Sequence, residues 1–246
     1  MQTNFGYKEV NFSQKTRMVR DVFHRVASDY DLMNDLMSMG THRLWKSHLI
    51  HTLPLMPEAK TLDLAGGTGD IALKMAAKFP YLNLDITVCD LTANMVAVGR
   101  DRALDTGGAK NTHWCCGNGE VLPFADNSFD LCTIVFGMRN VSKQDQALAE
   151  INRVLKPGGH FICMEFSHVE SAILDKVYRT YLFGLLPKIG RFVAKDEPAY
   201  RYLAESIDKF HSPETLKTMM EKAGFTDVTF ERWVQGVVAV HRGVKL

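Results

Sequence analysis

The chain has 246 residues, 46% of them apolar and 23% charged, enough to close a sizeable core without staples. Its 29 Lys and Arg against 28 Asp and Glu leave a formal net charge of +1, which gives no bulk attraction to nucleic acid. Five cysteines without a Cys-x-x-Cys pair predict buried, reduced thiols in a cytosolic protein. Nine histidines without ligand spacing predict no metal site. Residues 1–10 hold no apolar signal region, and no run approaches the roughly 18 apolar residues of a membrane span. Any membrane contact is therefore expected to be peripheral.

Taken in chain order, the first expected unit is a helical N-terminal region over 14–52. Met18, Val22 and Val26 fall four apart with Val19 and Phe23 beside them, one face of a helix. Ser28–Met39, rich in Asp, Asn and Met, reads as a short turn segment. Gly40-Thr41 punctuates before a second helix at His42–Thr52. From 60 to 165 strands and helices alternate. Strands are expected at Lys60–Leu64, Leu84–Cys89, Thr112–Cys116, Asp130–Phe136 and His160–Glu165. Helices are expected at Asp70–Phe79, Ala93–Leu104 and Lys143–Leu155, the last stopped by Lys156-Pro157-Gly158-Gly159, since Pro cannot continue a helix and Gly supplies positive φ.

Residues 170–210 break the rhythm as a basic, aromatic-rich insertion. A helix at Pro213–Ala223 and a hairpin of Val228–Trp233 and Val237–His241 around Gly236 complete the chain at 213–246. The alternation predicts a single α/β domain over 1–246. It is a doubly wound, mostly parallel seven-stranded sheet with an antiparallel edge strand, plus helical N-terminal and lid elements.

The sharpest chemical signal is Leu62-Asp63-Leu64-Ala65-Gly66-Gly67-Thr68-Gly69-Asp70, a strand entering a glycine-rich turn that opens a helix. Gly66, Gly67 and Gly69 let a ligand approach the backbone, and the free N–H groups at the helix start suit a carboxylate. A dinucleotide needs G-x-G-x-x-G around its pyrophosphate. Here the spacing differs, and Asp63 would repel phosphate while suiting an ammonium. S-adenosylmethionine carries an ammonium, a carboxylate and a sulfonium, and no phosphate. Asp90, roughly 20 residues beyond the turn, suits the two ribose hydroxyls. In Gly117-Asn118-Gly119-Glu120, Asn118 suits an adenine ring nitrogen, with glycine neighbours allowing approach. An NAD-dependent reductase and a non-catalytic binding module stand as the rival readings.

At this point the chain resembles the C-methyltransferase family of ubiquinone and menaquinone biosynthesis. The resemblance is carried by Arg25–Ser38, His42-Arg43-Leu44-Trp45-Lys46, Leu62–Asp70, Phe136-Gly137-Met138-Arg139-Asn140-Val141, Tyr200–Ile207 and Gly236–Gly243. It implies a class I, Rossmann-like methyltransferase, with a methyl group passing from S-adenosylmethionine to a ring carbon of a polyprenyl benzoquinol or of demethylmenaquinol. It implies cofactor contacts at Thr68, Asp90, Asn118 and Gly119. Family members often have Ala where Gly119 stands. Some have Ser at the position of Val135, where this chain offers only a backbone contact.

Given that reaction, Arg139 is the expected stabiliser of a ring phenolate or of a proton-accepting water, Asn140 the expected holder of a ring oxygen, and Tyr30 the expected cover over the ring. In the lid, Leu174, Val177, Tyr178, Tyr181, Leu182 and Leu185 recur at helical spacing among Lys176, Arg179, Lys188, Arg191 and Lys195. This stripe reads either as an ordinary amphipathic cover or as a greasy entrance for a prenyl tail beside anionic lipid. The expected partners are a polyprenyl quinol, the inner face of a membrane, and a homodimer or quinone-biosynthesis assembly. Another lipophilic acceptor, such as a sterol, and a non-catalytic scaffold role remain as alternatives.

Overall fold

The computed structural model describes residues 2–26, 30–108, 110–193 and 196–246. It opens on a hairpin absent from the expected elements, β1 (Gln2–Phe5) and β2 (Lys8–Asn11). These strands are short, polar and half-exposed, so no alternation of apolar residues marks them. Helix α1 (Phe12–Val26) follows and buries Val19, Val22 and Val26 along one face, as the four-residue spacing requires. The segment expected as a turn is instead helix α2 (Tyr30–Ser38). Met33, Asn34, Met37 and Ser38 are buried, a narrow stripe of helical period that Asp and Asn between them disguise. Ser28 lies outside the described residues, as do Ala27 and Asp29. Helix α3 (His42–His51) completes the N-terminal region.

The sheet core runs β3 (Lys60–Leu64), α4 (Asp70–Lys78), β4 (Asp85–Asp90), α5 (Ala93–Asp105), β5 (Thr112–Cys116), β6 (Phe129–Val135), α6 (Gln144–Val154) and β7 (Leu155–Phe166). Next come helices α7 (Ala172–Thr180), α8 (Leu186–Val193) and α9 (Glu197–Asp208), the segment expected as a lid, with a wide π turn at Tyr181–Leu185. Helix α10 (Pro213–Lys222) and strands β8 (Phe225–Trp233) and β9 (Val238–Lys245) end the chain. The seven strands lie in the order β5-β4-β3-β6-β7-β9-β8. β3 to β7 are mutually parallel, and β9 runs antiparallel between β7 and β8.

The Lys156–Gly159 stop is absorbed into β7. Phe129 pairs with Leu155 and Leu131 with His160, so the four residues bulge out, with Gly158 at φ +77°. Apolar side chains fill both faces of the sheet. Leu148, Ile151, Leu216 and Met220 of α6 and α10 pack with Leu62, Cys132 and Phe161 on one. Val19, Met33, Leu49 and Leu182 from α1, α2, α3 and the lid pack with Val88, Ile162 and Met164 on the other. Cys89, Cys132 and Cys163 are buried, whereas Cys115 is half-buried and Cys116 is exposed at the end of β5. No helix among the described residues is long and apolar enough to cross a membrane.

Candidate functional site

The chain winds outward from β3 to β5 and returns to β6 on the other side of β3. This creates a switch point, where loops at the carboxyl ends of the strands part and leave a crevice. A cleft opens there. Leu64, Ala65 and Gly67 line it from the end of β3, Cys89 to Thr92 from β4, Gly117 to Glu120 from β5, and Phe136, Gly137 and Asn140 to Ser142 from β6. Thr16, Val19 and Phe23 of α1 roof it. Sequence reasoning missed that roof, although its spacing of three and four residues marks one helix face.

Asp90 stands in the cleft with both carboxylate oxygens fixed. Oδ2 accepts from the Gly67 N–H at 2.9 Å and Oδ1 from the Thr92 N–H at 2.8 Å. Burial pushes its carboxyl up, against these donors. Each oxygen keeps a lone pair for a ligand hydroxyl. Asn118 Oδ1 accepts from the Glu120 N–H at 3.0 Å, so the group it has to offer is its NH2, a donor suited to a ring nitrogen. Glu120 in turn accepts from the Ser142 and Lys143 N–H groups at 3.1 and 3.0 Å, tying the β5 loop to the loop after β6.

Other expected contacts lie elsewhere. Asp63 is not on the cleft wall. It is buried beneath the turn, accepting from the Thr133 hydroxyl at 3.0 Å, because β3 is a central strand and Asp63 precedes its exposed end. Burial raises its carboxyl to about 7, against the pull of Thr133 and the Lys46 ammonium. Thr68 is also buried, its hydroxyl accepting from Arg102 Nη1 at 3.2 Å. Of the three turn glycines, Gly66, Gly67 and Gly69, Gly67 alone lines the cleft. A Cβ on Gly66 would come 2.8 Å from Asp63 Oδ2, and one on Gly69 would strike Trp114, so these two serve turn packing. Val135 is buried in the core, and the wall is made by the next residues, Phe136 and Gly137.

The Gly66–Gly69 turn is braced from below. Lys46, 3% exposed, donates to Asp70 Oδ2 at 2.9 Å, and Lys74 pairs with Oδ1. Burial works against the Asp70 carboxylate, but the two ammoniums outweigh it and hold it at about 2.

The end of β6 carries the reactive candidates. Asn140 lines the cleft. Arg139 does not; it is 5% exposed and borders a neighbouring cleft with Lys15 and Tyr202. Its Nη1 donates to Glu165 Oε1 at 2.7 Å and to the Phe136 carbonyl at 2.6 Å, and its guanidinium lies over the Phe166 ring. Glu165, at the end of β7, was missed; its only signal in sequence is an acid closing an apolar strand. Burial raises its carboxyl, with Arg139 pulling the other way. Lys15 of α1 donates to the carbonyls of Arg139 and Val141 at 3.3 and 3.1 Å, fixing the backbone on both sides of Asn140. Burial lowers its ammonium to about 8. Tyr30 opens α2, but its side chain lies outside the described residues, as does Lys195 of the expected lid stripe.

The lid stripe divides. Tyr181, Leu182 and Tyr178 face the core, Leu174 is half-buried, and Val177 and Leu185 are exposed, as are Ile173 and Phe192 outside the stripe.

The residues present fit S-adenosylmethionine. Gly67 at φ +57° and Gly117, where a Cβ would press Cys89 Sγ at 2.8 Å, keep the cleft floor at backbone level. Asp90, Asn118 and the apolar Leu91, Met95 and Phe136 supply the mixed lining a nucleoside needs. A Cβ on Gly119 meets nothing nearer than Leu64 Cδ2 at 3.6 Å, ordinary contact. Gly119→Ala is thus expected to hold S-adenosylhomocysteine within about twofold of the parent, and Gly117→Ala to bind it more weakly, read by calorimetry.

A relative from Shewanella frigidimarina, named "Ubiquinone/menaquinone biosynthesis C-methyltransferase UbiE", is 48% identical over 246 residues, covering 99% of this chain and 96% of that one. A Brucella canis relative of the same name is 46% identical over 248 residues, covering 100% and 92%. Among solved structures, a SAM-dependent methyltransferase from Thermotoga maritima superimposes with a TM-score of 0.65 at 22% identity, covering 93% of this chain and 100% of that one. Phosphoethanolamine N-methyltransferase 2 of Haemonchus contortus, solved with S-adenosyl-L-methionine, gives 0.56 at 19% identity, covering 80% and 51%. These two establish the fold. The family model described as the ubiE/COQ5 methyltransferase family matches residues 10–245, and the chain belongs to that family.

Proposed function

We propose that this chain transfers a methyl group from S-adenosylmethionine to a ring carbon of a polyprenyl quinol, a 2-methoxy-6-polyprenyl-1,4-benzoquinol or demethylmenaquinol. The observation that carries the reading is a single cleft with Asp90 and Asn118 at one end and Asn140, next to the buried Arg139–Glu165 pair, at the other. The names of the 46–48% identical relatives support the acceptor class.

The donor, when bound, supplies an electrophilic methyl on a sulfonium. Transfer to a ring carbon would need a neighbouring hydroxyl as a phenolate, from a phenol of pKa about 10, and would be completed by loss of the ring C–H proton to water. The site must favour that anion. A guanidinium is no base; Arg139, outside the cleft and paired with Glu165, favours an oxyanion at Asn140 through its charge and not by direct contact. Asn140, which lines the cleft, offers the direct donor to that oxygen. Holding acceptor and donor together contributes about 7–11 kcal/mol more. With methyl-labelled S-adenosylmethionine and a reduced short-tailed acceptor, the label is expected on a ring carbon by NMR of the product. A methyl ether would overturn the carbon assignment.

The exposed Ile173, Val177, Leu185 and Phe192, beside exposed Lys176, Lys188 and Arg191, support lid contact with an anionic bilayer, from which a prenyl tail enters. Co-sedimentation is expected to be stronger with anionic than with neutral vesicles and to weaken in Phe192→Asp. Equal binding to both would contradict this.

A further inference from the structure

We propose that Tyr202 is a positioning residue for methyl transfer, fixing the Asn140 carboxamide so that its NH2 meets the acceptor oxygen, and that the N-terminal hairpin holds Tyr202 in place. This rests on the reading of the cleft given above.

A carboxamide has two unlike ends. Presented by its NH2, Asn140 stabilises a phenolate; rotated half a turn, it sets a carbonyl oxygen against that anion. The structure sets the carbonyl end against Tyr202. Its hydroxyl donates to Asn140 Oδ1 at 2.9 Å, leaving the NH2 as the end that can serve the cleft. Tyr202 is 5% exposed. Burial raises its hydroxyl well above the ordinary tyrosine range, against the Arg139 charge, which keeps the proton that Oδ1 accepts.

The hairpin grips Tyr202 and the rest of its helix face. The Phe5 ring stacks on Tyr202 with centroids 4.0 Å apart and planes at 13°. Gly6, at φ +58°, packs so closely on Glu205 that a Cβ would strike its carboxylate. The Tyr7 N–H donates to Glu205 Oε2 at 3.1 Å and its hydroxyl to Asp208 Oδ2 at 2.8 Å. Tyr202, Glu205 and Asp208 recur every three residues along α9, so two small strands outside the main sheet clasp the helix that sets Asn140. Among the described residues β1 and β2 pair only with each other, so the hairpin is free of the main sheet.

The test compares Tyr202→Phe, Asn140→Ala, the double variant and Phe5→Ala with the parent protein, using labelled methyl transfer to a saturating reduced acceptor across pH. Tyr202→Phe keeps the ring stack and deletes one hydroxyl. Its kcat is expected to fall about tenfold, with the rising limb of the pH profile displaced to higher pH by about one unit, because the phenolate loses a well-oriented donor. S-adenosylhomocysteine affinity is expected to stay unchanged. In the Asn140→Ala background the same change is expected to add nothing, as two residues acting as a unit require. Phe5→Ala is expected to move kcat the same way by less. A Tyr202→Phe profile matching the parent, or losses that multiply with Asn140→Ala, would overturn the inference while leaving the function reading intact. A parent protein that binds S-adenosylhomocysteine yet methylates no quinol overturns the function reading itself.

Discussion

Asp90→Ala is expected to weaken S-adenosylhomocysteine binding by about 100-fold or more, because each hydrogen bond to a charged group contributes about 1.5–3 kcal/mol and two ribose hydroxyls share this carboxylate. The loss has a second source. Asp90 also holds the Gly67 N–H and the Thr92 N–H, one on each oxygen, so its removal loosens the glycine turn and the start of α5 together. Asp90→Asn fares little better. Whichever way the carboxamide turns, its NH2 faces one of those two N–H groups, and donor meets donor. Calorimetric titration checks both variants. Affinity within a few-fold of the parent in Asp90→Ala would remove Asp90 from the cofactor site.

Arg139→Ala is expected to damage stability and turnover by separable routes. The pair with Glu165 is 3% and 1% exposed on its two side chains, and breaking a buried pair by removing one partner costs about 3–5 kcal/mol. Glu165, whose carboxyl burial already raises, is then expected to take up a proton and stay neutral. Arg139→Met with Glu165→Gln removes both charges and is expected to regain most of the lost stability in a denaturant titration. Methyl transfer is expected to remain about 10²–10³-fold below the parent in both variants, the usual cost of deleting a group that stabilises an oxyanion. A double variant that regains activity along with stability would make Arg139 a structural residue only.

The part of the fold that positions the cleft was legible because its strands are buried on both faces. Leu131 to Val135 and Leu62 to Leu64 are buried throughout, apolar but for Thr133 and Asp63, and closed by turn residues, and no helical reading fits their length. The failures have physical causes. The β1–β2 hairpin owes its place to contacts with α9, 198 residues away in the case of Tyr7 and Glu205, which no local pattern records. Helix α2 buries only a narrow stripe, and Lys156–Gly159 is a bulge that breaks no strand.

In the site, Asp90 and Asn118 were legible because each ends or follows a strand at the switch point, where anything polar is available to a ligand. Asp63 and Thr68 belong to the same motif yet face away, since the motif specifies a turn and leaves open which side chains look outward. Glu165 and Tyr202 were invisible because each acquires its meaning from a partner 26 or 62 residues distant, Arg139 for one and Asn140 for the other.

The central claim, that the cleft activates a quinol ring as a phenolate and methylates carbon, is tested most directly by anaerobic transfer of labelled methyl to two short-tailed acceptors. One is a methoxy-prenyl-benzoquinol and the other a demethylmenaquinol, each assayed reduced and oxidised. Transfer is expected to at least one reduced acceptor and to neither oxidised one, because only the quinol can become a phenolate. Equal transfer to the oxidised quinones, or none to either quinol by a protein that binds S-adenosylhomocysteine, would contradict the account.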